Sequence, residues 1–231
     1  MDGSLARAVA DLGAWLRLAP LLTEYLPFPE RALRPSALAA LLDEVLVGNR
    51  TVLVELGSGP SSVVLARLLA RRGFGRLLSI EHDERWAAFV NLQLRREGLH
   101  HLVRVVHAPL TPHPAALDGL PWYSPTLVRD EVTAYVERFG LIDLLLVDGP
   151  DLPTAPPAPT TPSAPLGEGN PGLVRYPAMP VLRGALAPGA SLLVDDVEAS
   201  AAVLNRWADE YGTTFRRSPT SGLAHCVLAP V

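Results

Sequence analysis

Lysine is absent from this chain of 231 residues: all 20 basic residues are arginine. No lysine side chain can therefore serve as a general base, whatever chemistry the protein performs. Cysteine occurs once, at Cys226, so no intrachain disulfide forms, which agrees with a reducing compartment. There is no uninterrupted apolar run of about 18 residues that would read as a membrane span. The first residues, MDGSLARAVADLG, lack the charged-then-apolar order of a secretory signal. A cytoplasmic location without membrane association is expected. A basic excess is missing too. The net charge is −4, which argues against nucleic acid as a partner. No internal repeat is visible.

What is present suits an ordinary globular protein: 48% apolar and 19% charged residues, with length for one sizeable α/β domain and a short extension. Two helices come first. Leu5, Val9, Leu12 and Leu16 recur at helical spacing before Pro20, and Leu38, Leu41, Leu42, Val45 and Leu46 share a face after Pro35. Strands and helices then alternate. Strands are predicted at 51–56, 76–80, 102–107, 141–147 and 191–195, with helices at 62–72, 83–97, 126–139 and 197–211. Strands at 213–217 and 224–228 close the chain around a Ser-Pro-Thr-Ser-Gly turn. Near-continuous apolar strands separated by helices imply an α/β fold with a doubly wound, mostly parallel seven-stranded sheet and helices on both faces. Residues 1–49 form an N-terminal helical cap and 50–231 the main domain. Two proline-rich segments interrupt the pattern: 109–125 with five prolines and 150–171 with eight. The second, an insertion over 151–172, reads either as a disordered connection or as a mobile cover over the site.

Ligands of such sheets bind at the carboxyl ends of the strands, and polar residues follow each strand here. The strongest signal is Glu55-Leu-Gly57-Ser58-Gly59-Pro-Ser61-Ser62, where a buried strand enters a glycine-rich turn and then a helix. Gly57 and Gly59 permit close backbone approach to a ligand. A dinucleotide-binding turn would carry a third glycine at position 62, which is Ser. The Glu55 carboxylate would repel a pyrophosphate and suits a cationic amino group.

Glu55–Ser62 resembles the first motif of class I S-adenosylmethionine-dependent methyltransferases, and the resemblance extends over residues 50 to 200. Glu81 ends the second strand as that family's second acid does. The resemblance implies that Glu81 takes both ribose hydroxyls, with Gly57, Ser58, Gly59, Ser61 and Asp148 around the cofactor and His82 at the edge of the adenine. The third motif departs from the family: His107-Ala108-Pro109 supplies no side-chain acid, which leaves the adenine to backbone groups at Ala108. Asp148 after the fourth strand and the Asp195–Asp196 pair after the fifth are similar to metal-dependent catechol and macrolide-sugar O-methyltransferases. Three clustered carboxylates need something positive between them. Mg²⁺ held by Asp148, Asp195 and Asp196 is one solution; a salt bridge to Arg175 or Arg129 without metal is the other.

The expected reaction is methyl transfer to a small acceptor, a natural product or sugar-like molecule, most simply at oxygen. Without a metal a base is required, and the candidates are His113, Asp151, Tyr123 and Tyr176. Asp148 stands among the catalytic candidates. Trp122 and Tyr123 offer an aromatic wall, and Arg175 a bidentate partner for an anionic group. The readings left open are a metal-independent N- or O-methyltransferase acting on a peptide or other acceptor, a non-catalytic S-adenosylmethionine-binding module, and an oxidoreductase on a dinucleotide fold. The sequence permits a homodimer without demanding one.

Overall fold

The computed structural model describes residues 3–152 and 171–229, so nearly all of the proline-rich insertion lies outside the described residues. Helix α1 (Gly3–Leu18) and α2 (Pro35–Val47) come first, joined through a 3₁₀ turn at Ala19–Leu21. The alternation follows as β1 (Val52–Leu56), α3 (Pro60–Arg72), β2 (Arg76–Glu81), α4 (Glu84–Arg96) and β3 (Val103–His107). A hairpin of β4 (Leu110–Pro112) and β5 (Pro121–Tyr123) precedes α5 (Pro125–Phe139) and β6 (Ile142–Val147). The chain ends with α6 (Ala178–Leu182), β7 (Leu186–Val194), α7 (Ala201–Tyr211), β8 (Arg216–Arg217) and β9 (Ala224–Val227).

Among the described residues, seven strands form one sheet in the order β3-β2-β1-β6-β7-β9-β8. The first five are parallel, and β9 runs antiparallel to both β7 and β8. This is the doubly wound, mostly parallel sheet that the apolar strands predict. Alternation along each strand divides the core in two. Val54, Leu56, Ile80, Leu145 and Val147 join the cluster with Trp122, Tyr135 and Trp207, whereas Leu53, Leu77, Leu144 and Leu146 join the cluster with α1, α2 and α3. Asp143, the one charge in β6, accepts the Thr51 and Val52 amides at 2.7 and 3.0 Å and so fastens the start of β1. No described helix is long and apolar enough to cross a membrane.

Local chemistry sets the helix ends. Pro60 opens α3 at a position that needs no N–H, and the Ser62 hydroxyl accepts the Gly59 amide at 3.1 Å. Asp83 caps α4 by accepting the Arg85 and Trp86 amides. The entry to α2 is held from α1. Asp11 accepts from the Ser36 amide and hydroxyl at 3.1 and 2.6 Å and pairs with Arg34 at 2.6 Å.

Register places the site. Leu56 pairs with Ile80 on one side and Val147 on the other, and Val147 pairs with Val194. The ladder runs one step further: the Gly57 amide donates to Ile80, Asp148 to Leu56, Asp195 to Val147 and Ala108 to Glu81. Residues 57, 81, 108, 148 and 195 therefore share one edge of the sheet.

Several details differ from the sequence reading. Leu5, Val9, Leu12 and Leu16 face outward at 55 to 75% exposure; α1 instead buries Ala14 and Leu18 among Leu38, Leu41 and Leu42 of α2. β7 starts at Leu186, five residues earlier than expected, because the chain passes an irregularity between Ile142 and Leu144 with Gly189 at φ +76°. α7 starts at Ala201 rather than 197, after a turn closed by the Ser200 amide on Asp196. The segment 109–125 holds the β4–β5 hairpin, which its prolines concealed.

Candidate active site

Two cavities meet over this edge. The first, of about 640 Å³, opens above β1 and β2 and is lined by Gly57, Ser58, Gly59, Ser61, Glu81 and His82, with Trp86 and Phe89 on its wall. The second, of about 860 Å³, lies over β6 and β7 and is lined by Arg175, Asp195, Asp196 and Ser200. Asp148 and Asp151 line both, and so do Glu30, Arg31 and Ala32 from the segment before α2. A molecule in each cavity would touch the other at these shared residues.

The floor of the first cavity is bare backbone. Gly57 has φ +94°, and a methyl group there would sit 3.1 Å from the Asp148 carbonyl. A methyl on Gly149 would sit 2.9 Å from the Tyr123 hydroxyl and 3.2 Å from Gly57 Cα. The two loops pass each other where only glycine fits.

Glu81 is buried and its carboxylate is fully engaged. Oε2 accepts the Ser58 amide at 2.7 Å and its hydroxyl at 3.2 Å; Oε1 accepts the Asp83 amide at 2.8 Å and lies 3.0 Å from His82 Nδ1. Burial lowers the His82 pKa, but the contact with Glu81 and the charges of Glu81, Asp151 and Asp83 prevail and raise it. Trp86 stacks on Phe89 with centroids 5.1 Å apart, and its indole N–H donates to the Ser58 carbonyl.

Glu55 lies below the turn and does not line the cavity. Its carboxylate accepts from Ser61 and Ser62 at 2.5 Å each and from Ser79 at 2.8 Å. Burial pushes its pKa up to about 7, against the three hydroxyls that hold it down. Ala108 is also fully buried and lines neither cavity.

At the junction, the Asp148 and Asp195 carboxyls hydrogen-bond to each other. Burial, followed by the charge of Asp195, raises the Asp148 pKa well above its ordinary 3.8, and burial raises that of Asp195 too. Arg175 reaches in from the turn before α6. Its Nη2 pairs with Asp151 Oδ1 at 2.9 Å, and Nη1 donates to the Asp195 carbonyl at 2.7 Å and to Ser200 Oγ at 3.2 Å. Asp196 is exposed, at φ +50°, and its carboxylate accepts from the Ala199 amide. Among the described residues, no group of three or more His, Cys, Asp or Glu side chains is disposed to hold a metal ion. Of the three carboxylates expected to share a metal, Asp148 and Asp195 meet at the junction, and Asp196 turns to the Ala199 amide before α7. Arg129, the other arginine considered for this cluster, pairs with its neighbour Asp130 on the surface.

Of the proposed bases, only Asp151 reaches the junction. His113 sits beside Trp122 in the hairpin, accepts the Ala115 amide, and has its pKa lowered by burial. Tyr123 is buried beneath Gly149, and burial raises its pKa well above 10, which leaves the phenol protonated. Trp122 is buried in the core and forms no wall to either cavity. Tyr176 donates to Glu210 at 2.6 Å. The reading of the sequence missed Glu30–Ala32 and the outward edge of Trp86 and Phe89. Nothing in the pattern of 22–34 marks a site.

Comparison with known proteins fits this geometry. Residues 54–155, which carry the first cavity and the Asp148–Asp151 turn, match the family model described as a methyltransferase domain. Over these residues the chain carries a methyltransferase domain, within a Rossmann-like fold. No curated protein matches it in sequence. Its fold is similar to an O-methyltransferase from Streptomyces achromogenes involved in tomaymycin synthesis and solved with SAM (18% identity, TM-score 0.55, 97% of this chain and 89% of that one). It is similar to an SAH-bound methyltransferase from Podospora anserina (12%, TM-score 0.57, 94% and 86%). An O-methyltransferase from Bacillus cereus in complex with SAH shares the fold as well (14%, TM-score 0.52, 95% and 90%). At these identities the likeness shows the fold alone.

Proposed function

We propose that this methyltransferase uses S-adenosylmethionine to methylate an oxygen of a small acceptor. The observation that carries the reading is the pair of cavities meeting at Asp148 and Asp151. One has a glycine floor and an acid at the end of β2, and the other has room for a small molecule. The neighbouring folds solved with SAM or SAH, two of them O-methyltransferases, support the same cofactor and acceptor atom.

When bound, S-adenosylmethionine supplies an electrophilic sulfonium methyl. In this reading Gly57 and Gly59 let its methionine part lie against backbone, and Glu81 meets the ribose as the Ser58 hydroxyl and His82 give way. The flat Trp86–Phe89 face takes the adenine. The acceptor occupies the second cavity with its hydroxyl toward Asp151. Asp151 removes the hydroxyl proton as the oxygen lone pair forms the new C–O bond, and the S–CH₃ bond breaks with its electrons staying on sulfur. The products are the methyl ether, S-adenosylhomocysteine and a proton on Asp151, which exchanges to solvent.

Incubation with methyl-labelled S-adenosylmethionine and a panel of phenols, hydroxy acids and sugars tests this. Labelled ether from at least one acceptor, lost with Asp151→Asn, is the expected result. Labelling confined to amines or peptides would replace the oxygen reading with the N-methyl or peptide alternative.

A further inference from the structure

We infer that Arg175 is the resident cation of this active site, and that the methyltransferase works without a divalent metal ion. The inference rests on the assignment of the two cavities above and concerns what balances the carboxyl groups between them. Asp148, Asp151 and Asp195 converge at the ends of β6 and β7, and such a cluster requires a positive partner. The guanidinium fills that role in the fold itself. It pairs with Asp151 and also donates to the Asp195 carbonyl at 2.7 Å, to Ser200 Oγ at 3.2 Å and to the Asp148 carbonyl at 3.5 Å. Only 7% of its side chain is exposed. Val174 and Tyr176 on either side of it are buried, which fixes the turn that carries it.

A guanidinium keeps its charge at any pH a protein experiences. Moving it aside would break its ion pair with Asp151 and its hydrogen bonds to the Asp195 and Asp148 carbonyls and to Ser200 Oγ. A divalent cation at Asp148 or Asp195 would lie near this fixed like charge and be repelled by it. The carboxyl positions agree. Asp195 is taken up by Asp148 and by the Asp196 amide, and Asp196 caps the turn before α7. One consequence concerns the acceptor. A chelating metal requires two adjacent acceptor oxygens, whereas a site with a built-in guanidinium requires one hydroxyl within reach of Asp151. The acceptor class is therefore extended from catechol-like diols to molecules with a single hydroxyl.

The test is Mn²⁺ binding, followed by the spectrum of the free ion, on chelator-treated protein loaded with S-adenosylhomocysteine. Calorimetry of the S-adenosylhomocysteine step on the same sample reports the cofactor assignment separately. Wild type is expected to bind S-adenosylhomocysteine after chelation and to leave millimolar Mn²⁺ free. Arg175→Lys, which keeps a cation, behaves likewise. Arg175→Met, which removes the charge and keeps the stem, gains Mn²⁺ affinity by about tenfold or more. One Mn²⁺ held per wild-type chain and lost with Asp148→Asn overturns the inference. A folded Arg175→Met protein that gains none does so too. Failure of wild type to bind S-adenosylhomocysteine counts against the cofactor assignment and not against the role of Arg175.

Discussion

Arg175 Nη2 lies 2.9 Å from Asp151 Oδ1, and Asp151 is one of the few side chains that border both cavities. The pairing orients Asp151 beside the second cavity. Asp151→Asn is therefore expected to lower kcat by about 10²–10⁴-fold, the usual scale for a lost general base. Affinity for S-adenosylhomocysteine should change little, because the first cavity keeps its glycines and Glu81. Steady-state kinetics on any acceptor found in the panel, beside calorimetry of the same variant, separates the two effects. Equal loss in both would reassign Asp151 to cofactor binding.

The glycine floor makes a sharper prediction through a double substitution. Gly149→Ala puts a methyl 2.9 Å from the Tyr123 hydroxyl. It should weaken S-adenosylhomocysteine binding and cost roughly 1–3 kcal/mol of stability. Adding Tyr123→Phe removes the obstructing oxygen and should restore part of both. Gly57→Ala has no such remedy, because its neighbours are backbone and its φ is +94°. Restoration of Gly57→Ala by Tyr123→Phe would contradict the packing described here.

Glu55 gives a pH signature. Its carboxyl is fully buried and titrates near 7 rather than its ordinary 4.5. The folded state thus holds a proton that the unfolded chain releases earlier. Stability falls as pH rises between those values and is flat above them, by an amount on the order of 3 kcal/mol. Glu55→Gln should remove this slope. Urea unfolding of both proteins at pH 5 and pH 7.5 measures it. A difference between the two proteins that does not change with pH would show that Glu55 is ionised throughout.

Asp11 acts in the opposite sense. Burial works to raise its pKa, but hydrogen bonds from Ser36 and the pairing with Arg34 outweigh it and bring it below 3.8. Its contribution is complete above pH 3.8 and disappears as pH falls through the lower value. Asp11→Ala should cost about 1 kcal/mol at neutral pH, as a lost helix cap does. It should also weaken cofactor binding, because α2 anchors the end of the segment whose Glu30–Ala32 borders both cavities. At pH 3 the stability difference from wild type should shrink. A stability cost unchanged at pH 3 would mean that the cap works without its charge.

How far the sequence reveals this follows from the physics of each element. β1, β2 and β6 are legible because strands buried on both faces must be apolar throughout, and Gly57, Glu81, Asp148 and Asp195 follow because parallel strands end together. The direction of Glu55 was readable from strand parity. Val54 and Leu56 point to one core cluster, so Glu55 points to the other, under α3 and its two serines. His113 and Tyr123 drew attention through residue type, yet the hairpin that carries them buries Tyr123 and keeps His113 away from both cavities, which no local periodicity announces. The Arg175–Asp151 pair joins residues separated by 24 positions across the proline-rich insertion. No local pattern in the sequence brings these two residues together.

The cofactor assignment is tested most directly by calorimetric titration of the methyltransferase with S-adenosylhomocysteine, for wild type and for Glu81→Ala. Micromolar binding by wild type that falls by about 100-fold or more in the variant is expected, since a carboxylate hydrogen bond in a buried site contributes about 1.5–3 kcal/mol and Glu81 supplies two. Absence of binding by folded wild type, or equal binding by Glu81→Ala, would contradict the account of the first cavity.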